Sequence, residues 1–180
     1  MVKQLVNKAV YIYYSNRLTE EAQTKSSLKY IYFNNSKDGK VHNIWKSCGS
    51  EPYAVTSAAL KTKIATGTII LQKQVSRFSN KICQLCSKEI EDILHFIVRC
   101  SALQKVRSPF LTAIQDAIYS NVNRDISDDI LKNEENVCQI IIDCTKFAFL
   151  PKKLQIRLES ISRGLWHRLF HYRSTQLKKE

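Results

Sequence analysis

Four donors for a soft metal fall within 18 consecutive positions: Cys83, Cys86, His95 and Cys100. Two cysteines separated by two residues can grip one ion from a tight turn. A helix that carries a histidine and ends in a cysteine then closes a tetrahedron, and zinc favours this mix of thiolate and imidazole. Four protein donors leave no open coordination position, which argues against a Lewis-acid or hydrolytic role. Leu85, Leu94, Phe96 and Ile97 supply apolar packing around the ligands, and Asp92 or Glu91 is a candidate to contact His95 from behind, although sequence does not place either. The competing reading is that the four residues serve only as packing. The spacing favours a bound Zn2+ with a structural role, and a mainly α fold: a helical bundle-like arrangement around one small Cys-Cys-His-Cys zinc knuckle.

Helical periodicity surrounds the knuckle. Val2, Leu5, Val6, Ala9 and Tyr13 form one stripe of an amphipathic helix over residues 2–14. Asn34 to Lys40 reads as a loop, with Asp38-Gly39 as its turn signal. A second helix is expected from Pro52, with Ser50 as a cap, to Gly67. Thr68 to Leu71 reads either as a brief strand or as the end of a buried helix. Further helices are expected over Glu91 to Arg99 and over 102–120, the latter broken near Pro109. Ser127-Asp128-Asp129 looks like a cap and first turn, and 135–149 leans towards helix. After Pro151, Leu154, Leu158, Ile161, Leu165, Leu169 and Tyr172 mark a long final helix that tolerates Gly164. The chain divides into an N-terminal helical arm and loop (1–50), a knuckle region (51–120) and a C-terminal helical region (121–180).

Charge is large and uneven. Lys and Arg number 28 against 16 Asp and Glu, a formal +12. Residues 1–115 hold 17 basic and 7 acidic groups, 116–150 hold 3 and 7, and 151–180 hold 8 and 2. A surplus of this size favours a polyanionic partner, and simple solubility is the alternative. The candidate contacts are Lys73, Arg77, Lys81, Arg99, Lys105 and Arg107 around the knuckle, with Arg163, Arg168 and Arg173 on the last helix. Lys152, Lys153 and Arg157 add to that helix. The expected partner is RNA or single-stranded DNA.

Other constellations carry less. No apolar run approaches the ~20 residues that span a bilayer, and Met1-Val2-Lys3-Gln4 leads into no secretory stretch. A nuclear or cytoplasmic protein with no membrane partner is expected, its six cysteines kept as thiols. Cys48, Cys138 and Cys144 read as small buried apolar residues. His167 and His171 share a helix face without a third ligand, so they read as exposed polar groups. Trp166 and Phe170 either stack on bases beside Arg163 and Arg173 or bury a second side of the helix. Asp128, Asp129, Glu134 and Glu135 read as a solvated acidic face. With four glycines there is no phosphate-cradling loop, and no nucleophile–base arrangement is readable. Neither an enzymatic role nor a small-molecule substrate is expected.

The stretch Lys61 to Phe110 resembles the zinc-binding region downstream of the reverse transcriptase in non-LTR retrotransposon polyproteins. Ala65-Thr66-Gly67-Thr68 is similar to a leucine-threonine-glycine element with Ala65 in place of the leucine. Arg77-Phe78-Ser79-Asn80 resembles the segment before the knuckle, Glu89 to Asp92 its acidic linker, and Val106-Arg107 its tail. Ser26 to Tyr30, Val41 to Trp45, Ser162 to Leu165 and Arg173-Ser174 resemble further elements of the same polyproteins. No tyrosine-x-aspartate-aspartate motif or endonuclease region accompanies them. The resemblance implies the non-catalytic C-terminal fragment of such an element, one that helps the parent polymerase domain hold its template.

Overall fold

The computed structural model describes residues 2–24, 28–32, 41–69, 71–72 and 80–178. The expected loop at 34–40 and the candidates Lys73 and Arg77 lie outside them. The helices are α1 (Val2–Thr24), α2 (Asn43–Lys46), α3 (Pro52–Ala65), α4 (Gln104–Tyr119), α5 (Arg124–Lys132), α6 (Glu134–Asp143) and α7 (Lys152–Gln176). Among the described residues there is no strand, only an isolated antiparallel bridge between Ile82 and Ile90.

The stripe on α7 organises the molecule. Leu154, Leu158, Leu165 and Leu169 are fully buried, while Ile161 and Tyr172 are partly so. Four buried leucines contribute roughly 6–12 kcal/mol of transfer free energy, an upper bound against a compact unfolded chain. α4 and α3 pack along α7, with α6 and the 3-10 turn Cys144–Lys146 behind them. Gly164 allows α4 to approach closely, because a Cβ there would stand 3.1 Å from Phe110 Cε1. Trp166 is buried and donates to the Ile141 carbonyl at 3.4 Å, whereas Phe170 stays partly exposed. One core runs from Tyr30 and Ile44 through Ile64 and Leu103 to Leu169, so the three expected segments share it.

Local chemistry moves several boundaries. α3 starts at Pro52 as expected, but Glu51 precedes it without a side-chain cap, so Ser50 plays no such part. The helix ends at Thr66, followed by Gly67 at φ 65°, the left-handed region that glycine adopts freely. Thr68 folds back onto the Lys63 carbonyl through its amide at 2.8 Å and its hydroxyl at 3.0 Å. Ile69 and Leu71 lie in neither strand nor helix, although both are buried. α4 runs through Pro109 unbroken. Packing of Ile114, Ala117 and Ile118 outweighs the loss of one helical hydrogen bond. α5 begins earlier than expected: Asn123 accepts from the Asp125 amide at 2.9 Å. Ser127 lies inside the helix and donates to the Asn123 carbonyl at 2.9 Å. α1 is longer than its stripe, and Leu5, Val6, Val10, Ile12, Tyr13 and Tyr14 are exposed.

Buried ions fix how the helices meet. Lys61 Nζ on α3 lies 2.7 Å from Glu159 Oε2 on α7, both within 1% of full burial. Such pairs are weak evidence for stability, but losing one partner is costly.

Candidate metal centre

The first two cysteines sit on a tight loop closed by its own backbone. The Cys83 amide donates to the Glu89 carbonyl at 2.8 Å, and the Ser87 amide donates to the Cys83 carbonyl at 2.8 Å. Ser87 adopts φ 54°, the strained left-handed region, where the loop turns past Cys86. The Glu91 amide reaches the Lys81 carbonyl at 2.9 Å and finishes the loop. The other two donors come from a π-turn, His95–Arg99. On an ideal α-helix, positions five apart stand about 140° apart around the axis. Here the Cys100 amide reaches back to the His95 carbonyl at 2.7 Å. This wider turn brings the fifth residue round towards the first. Asp92 Oδ1 accepts from the His95 amide at 2.8 Å and starts that turn.

The donor atoms of Cys83, Cys86, His95 and Cys100 all lie within 4.8 Å of one another. Cys83 Sγ and Cys100 Sγ are 3.8 Å apart, and Cys86 Sγ is 3.4 Å from His95 Nε2. A tetrahedral ion with bonds of ~2.3 Å to sulfur and ~2.0 Å to nitrogen has S–S edges near 3.8 Å and S–N edges near 3.5 Å. The cluster is geometrically able to hold one metal ion. His95 presents Nε2 inward, while Nδ1 lies 3.2 Å from Glu89 Oε2. That carboxylate selects the tautomer and orients the ring.

Neither of the residues expected to support the ring does so. Asp92 caps the backbone instead. Glu91 is buried, lies 4.0 Å from Cys83 Sγ, and takes Arg173 at 2.9 Å on both carboxylate oxygens. Glu89 stood in the acidic linker, but nothing in its spacing distinguished it from its neighbours. The Arg173–Glu91 pair spans 82 positions, and no local pattern announces it.

Proton affinities follow the same crowding. The hydrogen bond to Cys100 and then burial push the Cys83 thiol up, and the same bond draws Cys100 down. Cys138 and Cys144 are both pushed up to about 12, chiefly by burial, which makes them inert packing thiols. Cys48 is partly exposed, against expectation.

Three candidate nucleic-acid contacts are corrected. Arg107 is buried and donates to the carbonyls of Ile97 at 3.3 Å and Cys100 at 3.0 Å. Arg163 is buried against α2, holding Ser47 Oγ at 2.7 Å and the Ser47 carbonyl at 3.0 Å. Arg173 is committed to Glu91. Their guanidinium groups join helices, so they cannot meet a phosphate. Lys81, Lys105 and Arg168 are exposed, and exposed Arg99 pairs with Glu134 at 2.7 Å. No described helix is long and apolar enough to cross a membrane.

Fold and site together define a helical protein with a Cys3His cluster able to hold a metal. In comparisons with protein-family models, curated proteins and solved structures, nothing matches the chain.

Proposed function

We propose that this chain is a zinc-organised, nucleic-acid-binding accessory segment of a retroelement reverse transcriptase, not itself catalytic. The observation that carries the reading is the convergence of Cys83, Cys86, His95 and Cys100 within 4.8 Å, in a chain of net charge +12. Thiolates with one imidazole select zinc over harder cations, and donors this close together suit a single ion. Four protein ligands keep water off the metal, so its work is to brace the loop and π-turn against α4 and α6. The resemblance of Lys61 to Phe110 to the region following retroelement polymerases supports RNA or single-stranded DNA as partner, in the nucleus or cytoplasm.

The test is metal analysis of purified, reduced protein together with a salt titration of binding to a fluorescein-labelled 15-nucleotide oligouridylate. About one zinc per chain and an affinity that falls as salt rises are expected. Zinc-loaded protein that binds no RNA, single strand or duplex at low salt overturns the nucleic-acid reading. The second reading, a zinc-braced protein-interaction module, would then stand first. The exposed Leu5, Val6, Val10 and Ile12 on α1 favour it.

A further inference from the structure

Resting on the nucleic-acid reading, we infer that the single strand lies along the outer ridge of α7 and the adjoining edge of α3, away from the knuckle. Lys153, Arg157, Ser160, Arg168 and His171 of α7 are all exposed. At ~100° per residue they fall within about 80° of the helix circumference. Lys153 and Arg168 stand 15 residues apart, ~22 Å along the axis. The described part of α7 has one carboxylate, Glu159, and it is buried against Lys61. The ridge therefore presents cations with no acid of α7 among them, on either side of the point where Phe110 of α4 closes over Gly164.

Several cations on one helix face separate this ridge from a surface that is merely soluble. Elsewhere some exposed cations meet carboxylates, Arg17 with Glu21, Lys29 with Glu135, Arg99 with Glu134 and Lys132 with Asp128, while Lys81 and Lys105 stand singly, without an ion pair to a described residue. Lys153, Arg157 and Arg168 form no ion pair with any described residue, so their charge is available to a polyanion.

α3 contributes along one side. Tyr53 meets His167 and Lys61 meets Glu159, so α3 runs antiparallel to α7. That direction brings exposed Lys63 level with Arg157. The exposed Tyr53 ring stands 4.7 Å from His167, whose ring lies nearly parallel to His171 at 6.3 Å. Rings thus sit near one end of the ridge, where His167 and His171 flank Arg168. A positive track with aromatic platforms is how proteins hold single strands with little sequence preference: phosphates on the cations, bases on the rings. A duplex hides its base faces and gains nothing from the rings. The exposed Glu51 beside Tyr53 marks where the track ends.

Direct titration of the zinc-loaded full chain with fluorescein-labelled 15-mers tests this. Oligouridylate and oligothymidylate arms separate RNA from single-stranded DNA, and a duplex of equal length is the control. Single strands should bind more tightly than the duplex. K153Q/R157Q/R168Q should flatten the salt dependence by about 2 log units per log unit of salt, at ~0.7 for each phosphate no longer neutralised, with zinc content unchanged. K81Q/K105Q should leave that slope as it was. Tyr53→Ala should weaken binding roughly tenfold, in line with loss of one stacked base, and Tyr53→Phe should restore it. An unchanged slope in the ridge variant, with a flattened one in K81Q/K105Q, overturns the ridge and leaves the nucleic-acid reading standing. Tighter binding to the duplex overturns the ridge as well. Failure of the unaltered protein to bind any of the three probes removes both.

Discussion

Arg107 gives the sharpest test of how the metal centre is held. It is 1% exposed, and no carboxylate is among its hydrogen-bond partners. It donates to the carbonyls of Ile97 and Cys100, which flank and include the ligand segment, and to Gln104 Oε1 at 2.7 Å. Burial draws the affinity of its guanidinium for its proton down, and the Cys100 thiolate works against that. Three thiolates around a divalent ion leave the centre with one net negative charge, which the buried cation offsets. Arg107→Met keeps most of the stem volume but withdraws the donor from the buried Ile97 carbonyl, while the Cys100 carbonyl keeps the Leu103 amide at 3.1 Å. The lost donor costs about 1–3 kcal/mol. For a chain of this size that lowers the melting temperature by roughly 2–12 °C. Scanning calorimetry of zinc-loaded and chelated protein should show most of the loss in the loaded form, together with weaker retention of zinc against a competing chelator. An equal drop in both forms, or a melting point within about 2 °C of the original, would refute the argument.

Three further outcomes concern the metal and the buried ions. Cys86→Ser should mimic chelation and unfold at least residues 80–105, because a structural zinc is worth ~10–16 kcal/mol; Cys138→Ser should keep its zinc, and hydrogen exchange across the two variants would tell them apart. Glu159→Leu should cost about 3–5 kcal/mol by stranding Lys61, while the double variant with Lys61→Met recovers most of it, measured by urea unfolding. Burial opposes ionisation of Asp143, but hydrogen bonds from His42, Thr145 and the Tyr32 amide outweigh it and hold its pKa below the usual carboxylate value. Its contribution should therefore be complete above about pH 4 and be lost as pH falls through the lowered value; Asp143→Asn should remove that part of the acid sensitivity, and an unchanged acid midpoint would count against it.

Much of the helix content was legible because it is periodic. The α7 stripe and the Pro52 start could be read from residues three and four apart. The four candidate metal donors were legible for a different reason: their spacing is the one a single ion requires. What failed was whatever depends on partners distant in the chain. Arg163 and Arg173 have the same local surroundings as a solvated basic helix, and only α2 and Glu91, 116 and 82 positions away, bury them. The π-turn was hidden because its length is set by the geometry of His95 and Cys100, whereas propensity reads the same residues as an ordinary helix. Ser127 resembled a cap because caps and buried helical serines share a chemistry, the hydroxyl that bonds nearby backbone.

The long reach of Arg173 also sets a timetable for the newly made chain. Every donor of the metal centre has been synthesised once Cys100 is added, and Cys83 and Cys100 are only 17 positions apart. Glu91 must wait 82 further positions for Arg173, about 4–16 s at 5–20 residues per second. During that interval the sulfurs that end fully enclosed are still open to an incoming ion, and local closure is fast compared with long-range docking. An ion held by the four donors would therefore be in place before Arg173 brings the end of α7 onto Glu91, and the last helix docks on a knuckle whose loop is already closed.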